Sequence, residues 1–108
     1  MVYSVLLSRD GAKDLEDLIS FIETQDSPGK ANRVLLRIEK AFAGLTTNPN
    51  RGTHPPELLE LGIREYRQVY FKPYRILYRV LVDKAYVLLI TDGRRDMQTL
   101  LERRLLEG

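Results

Sequence analysis

Arginine and tyrosine are the side chains through which this sequence could do chemistry. Twelve of its 17 basic residues are arginines, and the planar guanidinium takes carboxylate or phosphate through two parallel hydrogen bonds. Within residues 61–82 the basic side chains are Arg64, Arg67, Lys72, Arg75 and Arg79, against the single acid Glu65; Arg94 and Arg95 follow. Interleaved with them are Tyr66, Tyr70, Tyr74, Tyr78 and Tyr86. Such a set can stabilise a phosphorane, stack on a base or offer a proton, which is what RNA cleavage by the neighbouring 2′-hydroxyl requires. It can equally form a surface aimed at something anionic, nucleic acid or an acidic protein. The plainer reading is a solvated face with local ion pairs, its tyrosines packed as ordinary strand residues with their hydroxyls at the rim.

Other chemistries lack their parts. With no cysteine, a disulfide framework and a Cys-ligated metal are ruled out. The one histidine, His54, lies in a Pro-rich loop with no Ser or Cys arranged around it, which argues against a metal cluster and a nucleophilic triad alike. Neither GxxxxGK nor GxGxxG occurs. Glu57 and Glu60 sit on a polar turn and read as solvated charges. Neither a metal nor a cofactor is expected.

The 108 residues fit one domain spanning 1–108, and a chain of this size buries roughly two-thirds of its unfolded surface. The opening MVYSVLLSRD lacks the basic and apolar pattern of an export signal, and no stretch approaches the ~20 apolar residues of a membrane span. The expectation is a small cytoplasmic protein without membrane contact. Its net charge of +2 conceals a split, −2 over residues 1–60 and +4 over 61–108.

The elements that must position these side chains follow from apolar spacing. Residues 2–7 (VYSVLL) read as a buried strand. Ser8 or Asp10 can cap a helix running to about Thr24, with Ala12, Leu15, Leu18, Ile19 and Ile22 on one face. A turn covers Gln25–Gly29, and within it Ser27 followed by Pro28 is a helix-start signal. The second helix runs to about Thr47, with Ala31, Val34, Leu35, Ile38, Phe42 and Leu45 on its stripe. The short link makes a helical hairpin. Asn48 to Leu61 is irregular, and three strands follow near 63–71, 74–82 and 85–92. A last helix carries Met97, Leu100, Leu101 and Leu105. The order β-α-α-β-β-β-α predicts an α+β fold, a helical hairpin packed on a small, mostly antiparallel sheet with a C-terminal helix.

A two-residue turn at Asp83-Lys84 would pair Val80 with Val87 and Tyr78 with Leu89, giving with Ile76 one apolar face against the hairpin. The opposite face would pair Arg79 with Leu88, Leu77 with Ile90 and Arg75 with Asp92. That face is too apolar to be simply solvated and too charged to be core, so it is expected to be covered by the C-terminal helix, a partner, or both.

The order and spacing of several short motifs resemble the RelE/ParE superfamily of type II toxin–antitoxin toxins across essentially the whole chain. The likeness rests on Ala12, Asp14 and Leu15 after the first strand, Leu45-x-x-x-Pro49, the loop Gly52 to Gly62, and Gly62-Ile63-Arg64. Tyr74-Arg75-Ile76-Leu77-Tyr78 and Gly93-Arg94-Arg95-Asp96 complete it. RelE-like members cut mRNA on the ribosome, and ParE-like members poison DNA gyrase. The resemblance places Arg75 and Arg95 at or near the positions of two catalytic arginines of the nuclease branch. That branch also carries a tyrosine or histidine close to the C-terminus, whereas no Tyr, His or Trp follows Tyr86 here and a ParE-like helix closes the chain. The resemblance therefore favours a gyrase-directed toxin that is not itself an enzyme. The alternatives are a metal-independent, ribosome-dependent endoribonuclease and a non-toxic binding module on the same fold. It further implies a hetero-oligomer with a cognate antitoxin, whose acidic, Leu-containing segment would cover the toxin. Arg64, Arg67, Arg75, Arg79, Arg94, Arg95, Leu101 and Leu105 are the expected target- and partner-binding residues.

Overall fold

The computed structural model describes residues 2–107. Two serine caps set the helical hairpin. The Ser8 hydroxyl accepts from the Gly11 N–H at 3.0 Å and starts α1 (Arg9–Gln25). The Ser27 hydroxyl accepts from the Lys30 N–H at 3.1 Å and starts α2 (Pro28–Thr47), with Pro28 in the first turn, where its missing N–H costs nothing. Ile22 of α1 and Ala31, Val34, Ile38 and Leu45 of α2 are buried, with Leu15, Leu18, Ile19 and Phe42 packed beside them. Most of the apolar stripes read from the sequence thus pack in the core with the sheet, but Ala12 is exposed and Leu35, half-buried, lies outside the core cluster. Among the described residues, no helix is long and apolar enough to cross a membrane.

The sheet has four strands in the order β1-β4-β3-β2. β1 (Ser4–Leu7) runs parallel to β4 (Lys84–Asp92), and β2 (Tyr66–Phe71), β3 (Tyr74–Leu81) and β4 are antiparallel neighbours. The expected α+β architecture is therefore present. The first strand is not the buried run expected over 2–7: Val5 and Leu7 turn toward the core while Ser4 and Leu6 are exposed. It is an edge strand with one neighbour and one covered face, and alternation is what that position requires.

The hairpin register differs from the sequence expectation. The turn is Val82-Asp83, so Val80 pairs with Ala85, Arg79 with Tyr86 and Tyr78 with Val87. Val82 holds φ 55°, a left-handed conformation that β-branched residues rarely adopt, which is why no glycine-like signal marked the turn. A bulge then leaves Leu88 without a partner, and beyond it Leu77 pairs with Leu89, Ile76 with Ile90 and Arg75 with Thr91. The extra residue reverses the facing of everything after it. Ile90 joins Ile76, Tyr78 and Val87 beneath the helices, whereas Leu89 crosses to the other side with Leu77. Asp92 is thus opposite Tyr74, not Arg75.

Much of the second face is covered by the chain itself. A single helical turn within the supposed irregular segment, α3 (Pro56–Leu59), brings Leu58 onto Leu77 and Leu89. Met97 and Leu101 of α4 (Met97–Glu102) complete this smaller cluster, flanked by Ile63, Tyr66, Leu100 and Leu105. The last helix begins where the Asp96 carboxylate accepts from the Thr99 N–H at 3.2 Å, and it widens into a π-helical turn over Arg103–Glu107. There the Arg104 guanidinium donates twice to Asp14 of α1, at 2.9 Å each, and once to the Leu88 carbonyl at 2.7 Å. The Asp14 carboxylate also accepts from the Ile90 N–H at 3.0 Å, so it ties the last turn to α1 and β4 together.

Candidate functional site

Arg75 lies on the second sheet face near the start of β3, opposite Tyr70 and Thr91, and the loop 48–61 decides what it can reach. The loop is held at several points despite its irregular sequence. The buried Tyr78 hydroxyl donates to the Pro49 carbonyl at 2.6 Å and accepts from the Gly52 N–H at 3.0 Å. Burial raises the pKa of that hydroxyl, so Tyr78 is an anchor and a poor acid. A Cβ on residue 52 would come within 2.6 Å of the Tyr78 oxygen, which restricts the position to glycine. The Arg67 guanidinium donates to the Gly52 carbonyl at 2.9 Å and the Asn50 carbonyl at 3.3 Å. Thr53 and Gln68 exchange backbone hydrogen bonds of 3.0 and 2.7 Å. His54 Nδ1 lies 3.1 Å from the Tyr66 carbonyl and must be its protonated nitrogen, because a carbonyl only accepts. The histidine is a loop fastener.

So fastened, the loop presents Glu57 to Arg75. The Arg75 Nη1 and Nη2 groups donate to the two Glu57 carboxylate oxygens at 2.9 Å each, and Nε donates to Gln68 Oε1 at 2.7 Å. Arg75 is 8% exposed. These hydrogen bonds from Arg75 hold the Glu57 carboxyl below the usual glutamate range against the opposing effect of burial. Glu57 is therefore not the solvated charge its sequence context implied, and Arg75 is neutralised by this glutamate instead of by Asp92. No local signal could have found the pair, since residues 57 and 75 meet only after the loop folds back. The preceding Pro55-Pro56 was the one hint that the segment is rigid. Gly93 belongs to the same arrangement, because a Cβ there would come within 2.7 Å of the Arg75 Cδ. The result is a shallow cleft lined by Thr53, Glu57, Gln68, Tyr70, Arg75 and Gly93, with Tyr70 57% exposed at its rim.

The remaining arginines are dispersed. Arg79 stands on the same strand as Arg75, 5.9 Å over the Tyr66 ring. Arg67 serves the loop, and Arg64 is exposed before β2. Arg94 donates to both oxygens of Asp92, whose carboxyl is lowered chiefly by those hydrogen bonds. Arg95 reaches Thr91 Oγ1 at 3.4 Å and, with Arg94, walls a separate depression of about 600 Å³ against Asp14, Asp17 and Asp26 of the helices. Arg75 and Arg95 consequently do not share a cleft. Leu101 is 2% exposed and fills the second core, whereas Leu105 is half-buried beside an apolar groove with Leu58, Leu61 and Ile63. The groove is the part of the mixed face that the chain leaves open; Leu61 on its wall is 56% exposed.

Comparison with known proteins follows the same outline. Residues 5–97 match the family model of the ParE toxin of the type II toxin–antitoxin system parDE. Among solved structures, the chromosomal ParDE system of P. aeruginosa is similar at a TM-score of 0.68 and 20% identity, over 84% of this chain and 96% of that one. The RelBE2 toxin–antitoxin complex of Mycobacterium tuberculosis gives 0.59 at 22% identity, over 85% and 92% respectively. A doubly arginine-substituted E. coli RelE in the free state gives 0.62 at 12% identity, over 99% and 97%. No curated protein matches the sequence.

Proposed function

This chain belongs to the ParE toxin family of type II toxin–antitoxin systems, and from that premise we propose that it acts on DNA gyrase as a non-catalytic poison and is neutralised by a cognate antitoxin. The observation that carries the gyrase reading is the state of Arg75. Metal-free RNA cleavage needs a cation free to meet the phosphorane and a group poised to move the 2′-hydroxyl proton. Here the guanidinium is buried and clasped by Glu57 and Gln68, and Glu57, with its pKa lowered, is a weakened base. Arg95 stands outside the cleft, and residues 87–108 include no Tyr, His or Trp. RNA cleavage remains the second reading because exposed Tyr70 borders Arg75; it requires phosphate to displace Glu57.

Two of the similar structures are toxin–antitoxin assemblies by description, which supports an antitoxin partner for this chain. Its acidic, Leu-containing segment would lay leucines into the groove of Leu58, Leu61, Ile63 and Leu105 and hold its acids clear of Glu57 and Glu102, which also line it. Expression without antitoxin is expected to arrest growth with chromosomal damage while translation continues, and co-expression of the antitoxin is expected to restore growth. Harmless expression would support a non-toxic binding module, and arrest with early loss of mRNA would support the nuclease.

A further inference from the structure

A second cleft, between α2 and the β2–β3 turn, is walled by cations and by no carboxylate. Lys30, Arg33 and Arg37 follow one another along α2 at helical spacing, and Lys72 and Arg94 face them across about 480 Å³. Lys30 is tied to Asp26 at 2.8 Å and Arg94 to Asp92. Arg33, Arg37 and Lys72 are exposed and make no ion pair among the described residues. Three like charges without a carboxylate partner around one depression repel one another, and an anion entering it relieves that repulsion.

We propose that this cleft binds the phosphodiester backbone of a nucleic acid through Arg33, Arg37 and Lys72. The shape favours a phosphate chain over an acidic peptide. Cations about one helical turn apart, ~5.4 Å, form a row that a repeating anion can follow. Tight protein interfaces are instead centred on apolar or aromatic anchors in buried pockets. This cleft is open, and its floor offers only Val34, Pro73 and Tyr74. It also has an aromatic element suited to a nucleotide. Arg37 lies 4.7 Å over the Phe71 ring, which it covers, and Phe71 packs 5.6 Å from Tyr74, so the flat Arg37 guanidinium and the Tyr74 ring are the surfaces in the cleft on which a base can stack. The site is distinct from the Arg75 cleft and independent of gyrase as target.

The test is fluorescence anisotropy of the full chain with a short labelled duplex DNA and a short labelled single-stranded RNA across a salt series. Both ligands carry the proposed chemistry, and the tighter of the two identifies the source. The double variant Arg33→Gln/Lys72→Gln is expected to weaken binding about tenfold. It should also reduce the slope of log affinity against log salt by about 2 for duplex and somewhat less for single strand. The same charge loss at the other end of the hairpin, Arg9→Gln/Lys13→Gln, is expected to leave both quantities near wild type. Matching melting curves establish that the variants are folded. The proposal is overturned if the chain binds neither nucleic acid, if the two double variants behave alike, or if polyglutamate of equal charge competes as well as the nucleic acid does. A chain that poisons gyrase yet fails this test would overturn the cleft alone, and the converse result would overturn the gyrase reading alone.

Discussion

Truncating Arg75 would leave the Glu57 carboxylate, only a quarter exposed, without its two guanidinium hydrogen bonds. Arg75→Ala is therefore expected to cost about 1–3 kcal/mol, read as a lower urea midpoint. The same pair gives the acid limb of stability a definite sign. Because Arg75 depresses the folded-state pKa of Glu57, the stabilisation is complete above the ordinary glutamate value of ~4.3 and is lost as pH falls through the lower folded value. In Glu57→Gln the decline in stability below about pH 4.3 should be shallower than in wild type, measured by denaturation across pH. An unchanged slope would mean that the pair contributes nothing. At this scale the sequence pointed to Arg75 and missed its partner. Arginine in a Tyr-Arg strand is a local pattern, whereas Glu57 reaches it through a loop fixed by the Tyr78 hydroxyl and Arg67, contacts that no spacing rule reports.

Along one face of the C-terminal helix, Leu101 is packed in the second core and Leu105 borders the open groove. Leu101 fills the cluster of Leu58, Leu77 and Leu89, so Leu101→Ala is expected to cost about 2–5 kcal/mol. Leu105 borders the open groove, and Leu105→Glu should leave the melting temperature within a few degrees of wild type while weakening antitoxin binding at least tenfold, as measured by calorimetry. Equal stability losses in the two variants would assign Leu105 to the core instead. The helices and strands themselves were legible, since their apolar spacing and serine caps act over a few residues. The register of the hairpin was not. Val82 occupies a conformation that its side chain disfavours, and the bulge at Leu88 exchanges the faces of Leu89 and Ile90 without any Gly or Pro to announce it. The single turn Pro56–Leu59 was hidden for a related reason: four residues are too few to show a helical period.

Across the whole molecule, charge is arranged by surface and not by sequence half. The −2 and +4 halves suggested a basic sheet beside acidic helices. In the folded chain the cleft without carboxylates draws three of its cations from α2, in the acidic half, while Arg75 in the basic half is neutralised. The family outline could be read from motif order because those motifs mark the turns and caps that build the fold. What could not be read is the state of Arg75, on which the proposed target rests, because the clasp by Glu57 is a property of tertiary contacts alone. The central claim concerns gyrase, and incubating the purified chain with gyrase, ATP and plasmid measures it most directly. The account predicts cleaved DNA that accumulates with toxin concentration and vanishes when antitoxin is added. Supercoiling that proceeds undisturbed at excess toxin, with no cleaved product, would contradict it.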